Sequence, residues 1–237
     1  MLWNGWEQEL KMYTKNMKSN KFDFSNVDDF DNHIKLSIPN FETLDNIFSA
    51  ITKEFAQPES YVLDLGCSTG RYLNNLDKIE DTNYVGFDIV NFKNRRKGFD
   101  YENLDIEEAL IKYENENVST IVCMFMLQFL GFAKRKRVVS LLKKYIDKGA
   151  IILLSEKVYL EDTRLQTLLH RLHIQEKRKN FNDKDILDKD NQLSVSMFCK
   201  TQNELDKELS KIGDTTKVWQ SYNFMGYCIK NHWLYKD

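Results

Sequence analysis

The chain has 237 residues, a net charge of −2, 42% apolar and 30% charged residues. That is enough chain to bury a sizeable core as one α/β domain with additions, and it lacks the global basic field that would argue for nucleic acid. Only 9 Gly and 2 Pro leave little room for long linkers, and no repeat or low-complexity tract stands out.

The N-terminal "MLWNGWEQELKMYTKNMK" has neither the basic start nor the apolar core of a signal peptide. Its "LWNGW" can pack over a pocket or against another subunit. Leu44, Ile47, Phe48, Ile51 and Phe55 then follow helical spacing and predict an amphipathic helix. "YVLDL", "NYVGFDI", "STIVCMF" and "AIILLS" are apolar runs of strand length. A short third strand is expected before Asp105. Helical stripes at Val138, Leu141, Leu142 and Tyr145, and at Leu165, Leu168, Leu169 and Leu172, alternate with these runs. Alternation of this kind predicts a parallel sheet covered on both faces. The tail differs, with a helix over Asn203–Ile212 and two β-rich runs in "KVWQSYNFMGYCIKN" joined around Asn223. The expected fold is α/β and Rossmann-like: seven strands, mostly parallel, ending in an antiparallel hairpin, with a helical cap. This is the class I methyltransferase arrangement. The chain divides into a cap (1–56), a core (57–158), a helical substrate cover (159–200) and a last helix with hairpin (201–237).

The longest apolar run, Thr120–Ala133, is too short to span a bilayer, so no membrane partner is expected. Cys67, Cys123, Cys199 and Cys228 form no C-x-x-C pair, which predicts no metal and reduced thiols in cytoplasm.

"LDLGCSTG" links the first strand to a helix, and in a doubly wound sheet that turn faces the ligand. It lacks the third glycine of a dinucleotide fingerprint, and no Lys-Ser/Thr follows Gly70 as a P-loop requires. S-adenosylmethionine (SAM) carries no phosphate but has a sulfonium and an ammonium group, which favour carboxylates. Asp64 stands beside the turn, Asp88 ends the second strand where a carboxylate can take both ribose hydroxyls, and Asp105 can accept from the adenine amine. In that order the three acids favour SAM over a nicotinamide dinucleotide.

The stretches "FDFSNVDDFDNHIKLSIPNFETL", "VLDLGCSTG", "FMLQFL", "GAIILLSEK" and "VWQSYNF" resemble carboxy-SAM synthase, an enzyme family of bacterial tRNA wobble-uridine modification. The resemblance implies carboxy-SAM formation from SAM and prephenate, with an ylide trapping carbon dioxide, and a homodimer. It carries the cofactor role to Asp64, Gly66, Cys67, Ser68, Gly70, Asp88, Ile89, Asp105, Ile106 and Met124. It also implies a tyrosine, an asparagine and an arginine on the added carboxylate. Here those positions read Phe41, Met124 and, in a loose alignment, a place near Asp190. Phe41 and Met124 make the methyl-facing part of the pocket apolar, which suits unmodified SAM.

Substrate-pocket candidates are Phe41, Gln128, Glu156, Lys157, Tyr159, Trp219 and Tyr222, with Asn223 beside them. His170 and His173 border the leucine stripe of the cover and are read as packing or surface residues. The basic stretch "HRLHIQEKRKN" reads as a solvated face or as a site for an anionic substrate or RNA phosphate, and "KRKRVVSLLKK" as a basic outer helix face. The expected activity is SAM-dependent methyl transfer to a small molecule or nucleic acid by in-line attack, leaving S-adenosylhomocysteine (SAH), with no catalytic base assigned. Carboxy-SAM synthesis, non-catalytic SAM binding and a nicotinamide oxidoreductase are the alternatives.

Overall fold

A computed structural model describes residues 30–92, 95 and 97–231. The "LWNGW" segment and residues 22–29 of the family-like stretch lie outside the described residues. Helices α1 (Phe30–Ser37) and α2 (Phe41–Phe55) precede β1 (Tyr61–Leu65), α3 (Arg71–Asn75), β2 (Asn83–Phe87), β3 (Asp100–Glu102), α4 (Ile106–Lys112) and β4 (Val118–Met124). A short 3-10 turn (Leu127–Phe129), α5 (Phe132–Asp147) and β5 (Ile151–Lys157) complete the parallel part. Helices α6 (Thr163–Lys177), α7 (Asp183–Ser194) and α8 (Gln202–Leu209) then lead to the hairpin of β6 (Asp214–Ser221) and β7 (Phe224–Lys230).

The seven strands lie in the order β3-β2-β1-β4-β5-β7-β6. The β1–β5 pairings are parallel, whereas β7 runs antiparallel to both β5 and β6. Chain direction across the sheet reverses between β1 and β4, and the open crevice lies beyond their C-terminal ends.

Near-continuous apolar runs make these strands double-sided. On one face Leu63, Leu65, Val85, Phe87, Ile121 and Leu154 pack against α4, α5 and α8 through Ala109, Leu142, Tyr145 and Leu205. On the other, Val62, Tyr84, Val122 and Leu153 pack under Phe41, Leu44, Phe48, Tyr72 and Leu73 of α2 and α3. The predicted stripe on α2 is thus the one that covers the sheet, with Leu44 and Phe48 fully buried.

The cover departs from its pattern. Asp162 caps α6 by accepting from the N–H groups of Arg164 and Leu165, and Asn182 caps α7 through the N–H of Asp185. The leucines of α6 do not turn into the core: Leu165, Leu168 and Leu172 are exposed, and His173 is buried instead. A helical period fixes which residues share a face, but not which face packs.

Candidate functional site

A cavity of about 450 Å³ opens at the C-terminal ends of β1, β2, β4 and β5, roofed by α1, α6 and α7. Its floor begins with the β1–α3 turn. The N–H groups of Gly66 and Cys67 both donate to the Phe87 carbonyl, at 2.8 and 3.0 Å, which folds the loop across the end of β2. Gly66 has φ 77, and a Cβ there would lie 2.7 Å from Met126 Cγ, so only glycine fits. Ser68 adopts a left-handed φ of 53, held by its N–H donating to Asp88 Oδ2 at 2.9 Å. Its hydroxyl is buried with no partner among the described residues. A buried unmatched hydroxyl is costly, and a ligand supplying a partner removes the cost.

Asp88 also accepts from the Val90 N–H at 2.8 Å, so one lone pair of each carboxylate oxygen supports the loop and another remains for ligand. Burial raises its pKa, with the Val90 and Ser68 N–H groups opposing. Asp64 lies on the α2 face of β1 and is buried. Burial pushes its pKa up to about 7, against the pull of Arg71 and with added repulsion from Asp88 and Asp45. Arg71 itself is held bidentate by Asp45, at 2.5 and 2.9 Å, and lies 4.8 Å over the Phe41 ring. Burial likewise raises the Cys67 thiol, which stays neutral. Asp105 caps α4 by accepting from the Glu107 N–H at 3.0 Å, and its other oxygen pairs with Lys134.

The expected positions divide clearly. Asp64, Gly66, Cys67, Ser68, Asp88, Ile89, Asp105, Ile106 and Met124 line the cavity, as do Phe41, Gln128 and Lys157. Gly70 does not; at φ 79 its missing side chain makes room for Phe99, whose ring would meet a Cβ at 1.9 Å.

Four substrate-pocket expectations are corrected. Glu156 and Lys157 are neighbours on β5, and successive strand residues face opposite sides. Lys157 therefore enters the cavity, whereas Glu156 enters the far layer and is held bidentate by Arg135 at 2.8 and 3.0 Å. Tyr159 is about half exposed, and its backbone bridges to the Lys200 carbonyl and the Gln202 N–H. Trp219 packs in the core under α2, and the Tyr222 ring, which does not line the cavity, lies 5.9 Å from that of His173. Asn223 ties the hairpin turn to Val158 and Gln166.

The "KRKRVVSLLKK" reading as an outer face holds for Lys136, Arg137, Lys143 and Lys144, which are exposed, and is corrected for the two residues before them. Lys134 lines the cavity, and Arg135 is buried on the far face between Glu156 and Glu208. Gln128 accepts from the Lys157 N–H at 2.7 Å and offers its carbonyl to the Phe198 N–H, so it joins β5 to the cover.

His33 and Lys189 line the cavity although neither is a sequence candidate, whereas His173 and Lys177 come from the basic stretch read as a solvated face or an anion site. His33, Lys177 and Lys189 reach the cavity from α1, α6 and α7, and His173 joins them. His173 contacts the Ser37 carbonyl through Nε2 at 2.9 Å, and burial lowers its pKa to about 4, so it is neutral. His173 and Lys177 are four residues apart on α6 and so share a face. Asp64, Asp88 and Asp105 line the cavity end near β1–β3 together with Arg71 and Lys134, and Lys157, Lys177 and Lys189 line the end under the cover.

The chain is 31% identical to the carboxy-S-adenosyl-L-methionine synthase of Alteromonas mediterranea, over 86% of this chain and 89% of the relative. The chain belongs to the carboxy-SAM synthase family. A second family member, from Yersinia enterocolitica, is 28% identical over 86% of this chain and 81% of its own. No protein-family model matches the chain. The plantazolicin methyltransferase BamL, solved with SAH, superposes with a TM-score of 0.56 at 12% identity, covering 93% of this chain and 99% of that one. A SAM-dependent methyltransferase from Archaeoglobus fulgidus gives 0.52 at 13% identity, over 79% and 94% of the two chains. These likenesses establish the class I methyltransferase fold, and membership of the carboxy-SAM synthase family makes the chain a SAM-dependent transferase. Among the described residues no helix is long and apolar enough to cross a membrane, and no cluster of His, Cys, Asp and Glu is placed to hold a metal ion.

Proposed function

We propose that this protein binds SAM over the ends of β1, β2 and β4 and converts it to carboxy-SAM with a carboxylate-bearing small molecule. The observation that carries this reading is that Asp88 and the unmatched Ser68 hydroxyl stand at the loop end of a cavity whose other end, under the cover, is lined by Lys157, Lys177 and Lys189. When bound, SAM supplies a methyl group activated by its sulfonium. Asp88 takes the ribose hydroxyls, the bound cofactor offers the unmatched Ser68 hydroxyl a partner, and Asp64 faces the cationic groups. Asp105 accepts from the adenine amine beside its Lys134 pair. Phe41, Met124 and Phe125 exclude water around the reacting carbon, Phe41 and Phe125 being in ring contact at 6.2 Å.

The departures at Phe41, Met124 and Asp190 take polar partners away from a carboxylate, which favoured methyl transfer. Lys157, Lys177 and Lys189 supply such partners from other elements. Incubation with SAM and prephenate, read by mass spectrometry, should yield carboxy-SAM. SAM recovered unchanged at all enzyme concentrations would refute the assignment. The apolar Phe41 and Met124 support a second reading, methyl transfer to a small molecule or nucleic acid, and it predicts SAH as the product once an acceptor is present. We read the protein, on the family resemblance, as a cytoplasmic homodimer acting towards tRNA modification; the exposed Leu165, Leu168 and Leu172 give a second copy an apolar face to cover.

Cofactor affinity should depend on pH. Asp64 binds a cation only when ionised, and its pKa in the folded protein is raised to about 7. Below that value binding must first release a proton. Affinity for SAM should therefore be full above about pH 8 and fall by up to about tenfold per unit below pH 7. Calorimetric titration across pH 5.5–8.5 tests this, and Asp64→Asn should flatten the profile. An unchanged slope in that variant would assign the proton elsewhere.

A further inference from the structure

The amino-acid end of SAM carries a carboxylate as well as an ammonium group, and the acids at the loop end of the cavity answer only the ammonium. A carboxylate leaving water needs donors, and the β1–α3 turn has few to offer. The N–H groups of Gly66 and Cys67 go to the Phe87 carbonyl, that of Ser68 to Asp88 and that of Gly70 to the Cys67 carbonyl. The Thr69 hydroxyl donates to Asp31 at 2.6 Å. Among the described residues the cations lining this end are Arg71 and Lys134. Lys134 is paired with Asp105, the acid assigned to adenine. Arg71 is the one beside Asp64, whose carboxyl it draws towards ionisation against the effect of burial.

Arg71 is the first residue of α3 and is buried. Two of its N–H donors, one on each terminal nitrogen, go to the Asp45 oxygens at 2.5 and 2.9 Å, and no other acceptor among the described residues takes the rest. Asp45 and Phe41 stand four residues apart on α2, so they share a face, and the Phe41 ring lies 4.8 Å from the guanidinium carbon. The guanidinium plane is thereby fixed along one edge by a carboxylate and across one face by a ring. Its Nε edge keeps two parallel donors, Nε–H and the outer hydrogen of the neighbouring terminal nitrogen, which is the pattern a carboxylate takes bidentate. Held in this way, the side chain has little freedom left to lose on binding.

We infer that Arg71 binds the α-carboxylate of the cofactor, with Asp64 beside it taking the α-ammonium, and that Asp45 is the positioning residue that aims the guanidinium. The inference deepens the cofactor assignment above, on which it rests, and holds whether the methyl carbon is carboxylated or transferred. It makes the site selective for an intact amino-acid end over analogues that lack the carboxylate.

The test titrates the full chain above about pH 8, where Asp64 is ionised, with three ligands. They are SAM, decarboxylated SAM, which keeps the sulfonium and the ammonium, and 5′-methylthioadenosine, which has no amino-acid end. The parent should prefer SAM to decarboxylated SAM by at least about tenfold, the worth of one charge-assisted hydrogen bond. Arg71→Met should cut that preference about tenfold or more, and unchanged methylthioadenosine binding shows that the fold is intact. The Arg71→Met/Asp45→Leu double variant, which leaves no stranded carboxylate, should lose the same preference. Asp45→Asn keeps the Arg71 charge but loosens its aim, and should lower the preference part of the way; an unchanged ratio there would remove the positioning role. Equal affinity of the parent for SAM and decarboxylated SAM would overturn the inference, as would a preference that survives in both Arg71 variants, and either result leaves the cofactor assignment standing. A parent that binds none of the three ligands would refute that assignment itself.

Discussion

Arg135→Ala should cost the protein about 3–5 kcal/mol of stability, read from urea unfolding. Arg135 is buried on the face of the sheet away from the cavity and donates to both oxygens of Glu156, at 2.8 and 3.0 Å. It also donates to Glu208 Oε2 from Nε and Nη2, at 2.9 and 2.6 Å, and Lys200 lies 3.3 Å from the other Glu208 oxygen. Burial works against the guanidinium's charge, but attraction to Glu156 and Glu208 outweighs it and the net pKa shift is upward. Glu156 is wholly inaccessible to water, so truncating Arg135 leaves a carboxylate with neither solvent nor partner. Replacing both members with apolar residues of similar size, as in Arg135→Met with Glu156→Leu, removes the stranded charge and should recover most of the loss. A cost below about 1 kcal/mol for Arg135→Ala would show that the pair is not coupled as described.

Asp88→Ala should lower SAM affinity about a hundredfold or more, because hydrogen bonds to a charged group contribute about 1.5–3 kcal/mol each. The carboxylate has two duties. It takes the ribose hydroxyls in the proposed complex, and it already holds the loop by accepting from the Ser68 and Val90 N–H groups at 2.9 and 2.8 Å. Ser68 sits at a positive φ unfavourable to a residue with a side chain, so losing that support frees the loop to relax. Asp88→Asn retains an acceptor oxygen but loses the charge, and should fall between the two. Calorimetry with SAM is the direct measurement, and an affinity within threefold of the parent would refute the ribose assignment.

Most of the architecture was legible because burial leaves a pattern. Four strands read as apolar runs, and the order of loop, Asp88 and Asp105 followed from a strand-turn-helix unit with acids behind it. The failures share a cause too. Glu156 and Lys157 are adjacent, and the two-residue period of a strand, visible in the sequence, sends them to opposite faces. The four-residue spacing of His173 and Lys177 is equally visible, but the leucine stripe of α6 competes for the inward face, and tertiary packing gives that face to the histidine. Arg135 could not have been found in a run of basic residues, since its partners Glu156 and Glu208 come from distant elements. Trp219 and Tyr159 stand near strand ends in the sequence, and the packing of the hairpin against α2 and of the cover against α8 decides where they face.

The polarity of the cavity has a thermodynamic consequence. A cation settled at the acidic end raises the potential felt at the lysine end, and an anion settled there deepens the well for the cation. Linkage requires the two effects to be equal in free energy, so each ligand tightens the other by the same factor. On the proposed reading the ternary complex is favoured over either binary one, and added salt, by screening, should loosen the pair more than either partner alone.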